Sequence, residues 1–566
     1  VASKTHGFIA ACMVLQTMAV PAFSESLAGS YLAGRQAQYV NDFDVSAQYF
    51  TRALLRDPGN PQILESAVLA HLSMGQVVKA VVIARKMETD DFDSQVGHMV
   101  LMADEVANDR YDAVLERIAD DRGVGPLVDG LVEAWAHLGA GSMADAMTAF
   151  DKVADERGLR GFALYHKALA MASVGDFEGA EEIFSGRSGG ALQATRRAAI
   201  ARIQILSQLD HNIQAIALID DLFGTDLDPG LRLLRDRLVA GEVLPFAHIT
   251  SPRDGIAEVF YSVAAALSGE AEEDYTLLYA RVTQYLRPNH VDAILLSAQM
   301  LEQLQRYDLA TKTYGEVDRD HPAFYVAELG RAEALRRSGK LEVAVEVLEK
   351  LGKSHTELPA VRVALGDLLR QMERFEGAVS AYDKALTLYP VEESRQWFIF
   401  YARGVAQERL GNWSKSEADF RKALSLSPEQ PQVLNYLGYS MVEQQINLDE
   451  ALSMIERAVA ASPDSGYIID SLGWVLYRLG RYDEAIGYME KAAQMMAVDP
   501  IVNDHLGDVL WAVGRQLEAQ FQWRRALSFE PEEAEAERIR QKLEIGLDAV
   551  LKNEGAEPLQ LADDDS

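Results

Sequence analysis

The chain has 566 residues, with 86 acidic against 54 basic side chains and a formal charge of −32. That balance makes nucleic acid and anionic membrane surfaces electrostatically poor partners, and favours solubility or a basic partner. A chain of this length ordinarily divides into several globular domains unless it grows by repetition. Residues 1–26 stand apart from the rest: Lys4 and His6 precede an apolar run from Phe8 to Val20, which ends in Val20-Pro21-Ala22 and Ala22-Phe23-Ser24. That pattern predicts a cleaved secretory signal peptide, since the run is short for a membrane span. The single cysteine, Cys12, lies inside this leader, after Ile9-Ala10-Ala11. The placement suggests a lipid-attachment box, but the residues after it stay apolar, so cleavage is the preferred expectation. A mature protein would then have no thiol for a disulfide, a metal or a nucleophile. A periplasmic or otherwise exported location suits such a protein.

From residue 27 onward, small and bulky residues recur at a fixed interval of 34. Ala134 and Ala168, Ala146 and Ala180, and Phe150 and Phe184 keep it in the N-terminal stretch 27–222. So do Ala298, Ala332 and Gly366, then Ala451, Ala485 and Ala519, and finally Gly473 and Gly507. A period of this size predicts a solenoid of helix–turn–helix units, about fourteen of them. Apolar residues at helical spacing make each half-unit amphipathic, and the small residues let the paired helices approach. Gly480 supplies a turn within a hairpin, while Pro463 and Pro531 mark turns between units. The stretch 223–262, with "GTDLDPG" and "LPFAHITSPRDG", breaks the period and is expected to be an irregular joint before the array of 263–531.

Motifs suggestive of catalysis fail on context. Gly139-Ala140-Gly141-Ser142-Met143-Ala144 fits a dinucleotide fingerprint, but a helix precedes it where a strand is required. Gly186-Arg187-Ser188-Gly189-Gly190 fits a hydrolase elbow and fails for the same reason. Asp226, Asp228 and Gly230 begin like a calcium loop, yet Arg237 stands where a bidentate Glu belongs. The histidines are scattered without a metal-ligand spacing. No catalytic residues, no metal site and no cofactor are expected, and the protein is not read as an enzyme.

In the C-terminal half the pattern sharpens. Gly366, Ala378, Tyr382, Ala385 and Pro390 form one window, and Gly507, Ala519, Trp523, Ala526 and Pro531 another. Gly404, Ser416, Phe420, Ala423 and Pro428 differ by one Ser, and Gly34, Ser46, Phe50, Ala53 and Pro58 show an early start. These windows resemble the tetratricopeptide-repeat family, in particular exported alphaproteobacterial-type members. The resemblance implies an all-α superhelical solenoid of antiparallel helix pairs, in which the first helix of each unit lines a concave groove. Mapped onto the last units, the family's groove positions hold Tyr401, Asn435, Tyr439, Asp470, Trp474, Tyr477, Asp504, Asp508 and Trp511. Aromatic and carboxylate side chains on one face suit an extended peptide with apolar and basic groups. The tryptophans equally suit packing between units, and the cationic clamp with which some relatives hold a ligand's C-terminal carboxylate is missing. Residues 532–552 read as one capping helix, with Ile539, Leu543, Leu547 and Val550 on one face, followed by an acidic tail at 553–566 expected to be disordered. The resulting expectation is a non-enzymatic interaction scaffold of the cell envelope with a protein or peptide partner. A carbohydrate-binding envelope protein that stacks sugars on the groove aromatics is the alternative.

Overall fold

Proline and small capping residues start the helices. Pro61, Pro126, Pro359, Pro431 and Pro500 each open a helix, where a missing backbone N–H costs nothing. Asp42, Asn60, Ser94 and Asp499 accept the free backbone N–H of the first turn. The computed structural model describes residues 26–187, 195–224 and 226–555, and within these the protein is a succession of short α-helices with no strand. The fold is an all-α tetratricopeptide-type array of antiparallel helix pairs. The leader and the acidic tail from 556 lie outside the described residues. The Gly186–Gly190 motif also lies largely outside them. The Gly139–Ala144 motif is the turn between helices Pro126–Gly139 and Met143–Asp155.

The protein divides into two compact units, residues 1–344 and 345–566. In the second unit, hairpins follow one another as Pro359–Gln371 with Phe375–Thr387, Trp397–Arg409 with Trp413–Leu426, Pro431–Glu443 with Leu448–Ala461, Gly466–Arg478 with Tyr482–Met495, and Pro500–Ala512 with Gln516–Ser528. Each first helix carries a glycine against a large side chain of its partner helix. A methyl group on Gly366 would meet Tyr382 at 2.6 Å, on Gly404 Phe420 at 2.8 Å, on Gly473 Met489 at 2.8 Å, and on Gly507 Trp523 at 2.4 Å. The helix accepts glycine's entropic penalty because the backbones must approach that closely. Gly480, at φ 75°, makes the turn that the left-handed region requires.

The C-terminal cap departs from the single helix expected. Glu533–Ile545 and Leu547–Asn553 are separate helices, broken at Gly546 with φ 82°. The reversal brings Leu547 and Val550 back into the core and sets the Gly546 backbone against the Trp511 ring.

The first unit begins with the same hairpins, from Leu27–Tyr39 with Phe43–Leu54 to Arg196–Gln208 with Asn212–Phe223. Its later helices Pro252–Leu267 and Glu273–Leu286 then pack against the first helices Pro61–Ser73, Gln95–Ala107 and Pro126–Gly139. The backbone at Gly255 lies on the Trp135 ring. As a result Gln95–Ala107 is buried without a break from Val96 to Val106. The aperiodic stretch is what makes this possible. Residues 240–251 leave the helical path and are held by side chains: Leu244 N–H donates to Ser207 Oγ (2.9 Å), Ala247 N–H to Gln204 Oε1 (3.0 Å), and Arg287 donates to the His248 carbonyl (2.7 Å). Helix Pro229–Val239 occupies the earlier part of the stretch.

Candidate functional site

Four consecutive first helices of the second unit bring Tyr401, Asn435, Asp470 and Asp504 to the same helical position, each one turn before the glycine that meets the partner helix. Tyr439, Trp474 and Asp508 follow one turn later on their helices. The structure therefore places the sequence-predicted residues on one face, but it treats them differently along the array.

At the C-terminal end the carboxylates are taken. Lys542, fully buried, extends from helix Glu533–Ile545 and donates to Asp504 (2.8 and 2.9 Å) and to Asp508 (2.6 and 2.8 Å). Arg538 stands 3.5 Å from Asp508. Burial and the neighbouring Asp508 charge raise the Asp504 carboxyl above its ordinary range, against the pull of Lys542. Trp523 donates its Nε1–H to Asp508 (2.9 Å), and Trp511 donates to Asp548 of the last helix (2.8 Å). Sequence reasoning puts these two aspartates on one face with Asp470, where clustered carboxylates need either a cation or solvent. It does not find Lys542, because nothing in the spacing says which distant helix folds back.

One repeat earlier, Trp474 is only 8% exposed. It stacks on Tyr477 (4.9 Å between centroids) and on His505 (4.0 Å), and its Nε1–H goes to Glu443 (2.7 Å). Trp474 and Tyr477 thus form an interlocked seam between repeats. His505 pairs with Asp470 Oδ2 at 2.9 Å. Burial opposes charging of this ring, but the carboxylates of Asp470, Asp504 and Asp508 outweigh it and raise the His505 pKa.

Between these seams the face is open. A cavity of about 430 Å³ is bordered by Asn435, Tyr439, Tyr467, Asp470 and Glu443, among others. Asn435 and Asp470 are 7% and 6% exposed, and Asn435 Oδ1 and Asp470 Oδ1 are buried with no hydrogen-bond partner. Tyr467 is half exposed, whereas Tyr401 packs edge-on against Tyr436 at 5.8 Å. His505, Tyr467 and Glu443 are not predicted from the sequence. Tyr467 lies in the first turn of its helix, outside the groove positions carried over from the family.

The first unit holds a second cavity, of about 570 Å³, backed by a buried polar network. Glu258 accepts from Tyr165 (2.8 Å), Arg197 (2.5 and 2.8 Å) and His290 (3.2 Å). Burial works against its charge, but Arg197 first, and then the hydrogen bond from His290, hold the carboxyl well below its usual range. His248 Nε2 accepts from Arg197 (3.2 Å), so its ring is neutral with the proton on Nδ1. These groups satisfy one another, and the chemistry is that of a structural clasp. Among the described residues, no group of three or more His, Cys, Asp or Glu is placed to hold a metal ion, and no helix is long and apolar enough to cross a membrane.

Fold and site together define a helical-hairpin repeat protein with an open first-helix face in its second unit. Comparison with known proteins makes the class specific. Family profiles described as tetratricopeptide repeat match residues 392–531, and residues 31–89 and 329–393. These stretches are tetratricopeptide repeats, of a fold typical of protein–protein interaction. The chain is 27% identical over 162 residues to the TPR repeat-containing protein PA4667 of Pseudomonas aeruginosa, a match covering 28% of this chain and 26% of that protein. It is 26% identical over 157 residues to human aspartyl/asparaginyl beta-hydroxylase, covering 26% of this chain and 21% of the hydroxylase. The chain therefore spans about a quarter or less of these relatives. Among solved structures, a protein of the APC/C hetero-tetramer Cut9–Hcn1 aligns over 92% of this chain and 96% of its own length at 14% identity, with a TM-score of 0.38. YrrB, described as a TPR protein with an unusual peptide-binding site, aligns over 35% of this chain and 99% of its own at 20% identity, with a TM-score of 0.28.

Proposed function

We propose that the protein is a non-enzymatic scaffold of the cell envelope that binds an extended peptide, or such a segment of a partner protein, along the first-helix face of its second unit. The observation that carries this reading is the open cavity at Asn435, Tyr439, Tyr467 and Asp470. In the first unit the equivalent face of helices Pro61–Ser73 to Pro126–Gly139 is already covered by Pro252–Leu267 and Glu273–Leu286. A photo-crosslinking amino acid placed at Tyr439 or Tyr467 in the native host should yield a discrete protein adduct. The same group at Leu517, 75% exposed on a second helix, should not. Equal labelling at all three positions, or none at the two tyrosines, would remove the proposed face. Export rests on the leader: residues 1–30 fused to a reporter active only outside the cytoplasm should give activity, and an inactive fusion would remove the envelope setting.

A further inference from the structure

The last repeat shows what this face does with a cation. Asp504 and Asp508 receive the ammonium group of Lys542, which also stands 5.7 Å over the Trp523 ring. Asp470 and Asn435 occupy the position of Asp504 in the two preceding repeats, yet among the described residues no side chain reaches their Oδ1 atoms. Asp470 spends Oδ2 on His505 and leaves Oδ1 buried and unpartnered. Asn435 Oδ1 is in the same state, and its residue lines the same cavity. A buried acceptor without a donor loses its hydration with nothing in return, and two of them in residues lining one opening call for a donor from outside. The surroundings select its charge. Glu443 and Asp499 border the cavity with Asp470, and Glu408 lies at its edge holding the Tyr436 hydroxyl (3.0 Å). Against these stand Arg409, Arg478 at 3.8 Å from Glu443, and the His505 ring that Asp470 already pairs. Tyr439 and Tyr467 supply aromatic walls for a long aliphatic stem and its charged end.

We infer that this cavity takes a lysine or arginine side chain from the bound partner segment, donating to Asp470 Oδ1 and Asn435 Oδ1 as Lys542 donates to the last repeat. The inference rests on the reading of this face as the binding groove and adds the chemistry of what it recognises. The contact is charge-assisted and largely shielded from solvent, so it should outlast moderate salt better than a surface ion pair would.

The test uses the full-length protein and fluorescein-labelled nonapeptides, with flanks that are mixtures of uncharged residues and a central Lys, Arg, norleucine or Glu, followed by fluorescence anisotropy. Lys and Arg should bind about tenfold more tightly than norleucine, and Glu more weakly still. Asp470→Asn should remove most of that preference, and Asn435→Asp, which adds a carboxylate, should widen it severalfold. Asp464→Asn, an exposed change of the same charge, should leave it intact. Equal binding of Lys and norleucine would overturn the inference and show that solvent satisfies the two acceptors. So would an equal loss in the Asp464 variant, which would reduce the effect to net charge, or a failure of Lys and Arg peptides to bind at all. If all four peptides bind alike and Tyr439→Ala weakens them alike, the groove reading stands and the cation site alone falls.

Discussion

Adding one methyl group at equivalent glycines of adjacent repeats should have unequal consequences. Glycine to alanine inside a helix gains about 1 kcal/mol in intrinsic propensity. At Gly473 the new methyl meets Met489 at Cγ (2.8 Å), Cε (3.0 Å) and Sδ (3.1 Å). Methionine has three rotatable bonds and yields at a cost of about 0.5–1.5 kcal/mol. Gly473→Ala should therefore lie within about 1 kcal/mol of the parent. At Gly507 the methyl meets Trp523 Cδ1 and Nε1, both at 2.4 Å. That ring is fully buried, rigid and hydrogen-bonded to Asp508, and Asp508 in turn holds Lys542.

Restoring ordinary contact requires moving the indole by about 1 Å, which sacrifices packing and strains the bond to Asp508. Overpacking of this kind costs roughly 1–3 kcal/mol, and the disturbed charge-assisted bond roughly 1.5–3 more. Less the propensity gain, Gly507→Ala should lose about 1.5–5 kcal/mol. Hydrogen exchange read by mass spectrometry is the assay, because repeats open locally and one melting temperature blends them. Protection should fall at least about tenfold in residues 500–528 and Glu533–Ile545, with residues 359–426 unaffected. Unchanged or increased protection in Gly507→Ala, or a greater loss in Gly473→Ala, would refute the packing argument.

Lys542→Met should leave Asp504 and Asp508 buried side by side with only Arg538 near, costing about 3–5 kcal/mol; limited proteolysis should then cut within 530–553, and resistance there would count against the clasp. Glu258→Gln should strip Arg197 of its buried partner and loosen Arg160–Ser173 and Pro252–Leu267 by a similar amount, which exchange of those helices would report. Burial depresses His166 and His248 to about 4. The unfolded protein takes up those protons near pH 6.5, so between pH 6.5 and 4 it binds more protons than the folded unit, and stability should fall on acidification by up to roughly 3 kcal/mol per histidine. His505 is raised instead, so its contribution is complete below about pH 6.5 and fades as pH rises through its folded value. Acidification from pH 7 to 5 should therefore reduce protection of Arg160–Ser173 but not of Pro500–Ala512.

Elements whose contacts lie within one hairpin are legible in the residues. Gly366, Gly404 and Gly507 recur because each faces the bulky partner that the same repeat supplies, and Tyr401, Asn435 and Asp470 share a face because helical spacing puts them there. What escapes depends on segments that meet only after the array has formed. Lys542 reaches Asp504 from a helix that follows the last repeat, and Gly546 turns the chain only after it; an amphipathic pattern across 532–552 is the same with or without that contact and that turn. Its repeat position assigns Trp474 to the groove, but its ring rotates into the seam against His505, a choice set by the neighbouring repeat. The joint at 223–262 is visible as an interruption, but its purpose is not, since hydrogen bonds such as Leu244 to Ser207 follow no period.

The weak repeat pattern of the first unit has a physical cause in this packing. Helix Gln95–Ala107 has apolar and small residues on nearly every side because a second layer from the same protein covers it, and its charged members are paired, Glu105 with Arg117 and Asp104 with Arg85 and Arg110. A ligand entering there would have to displace Phe260, Tyr279, Ile256 and Leu278, all buried. At about 1.5–3 kcal/mol for each large side chain, the loss approaches the whole free energy of a micromolar complex. In the second unit no such layer covers Asn435 and Asp470. The same repeat has been used for self-packing in one unit and left open in the other, and the open face is where exchange of partners costs least.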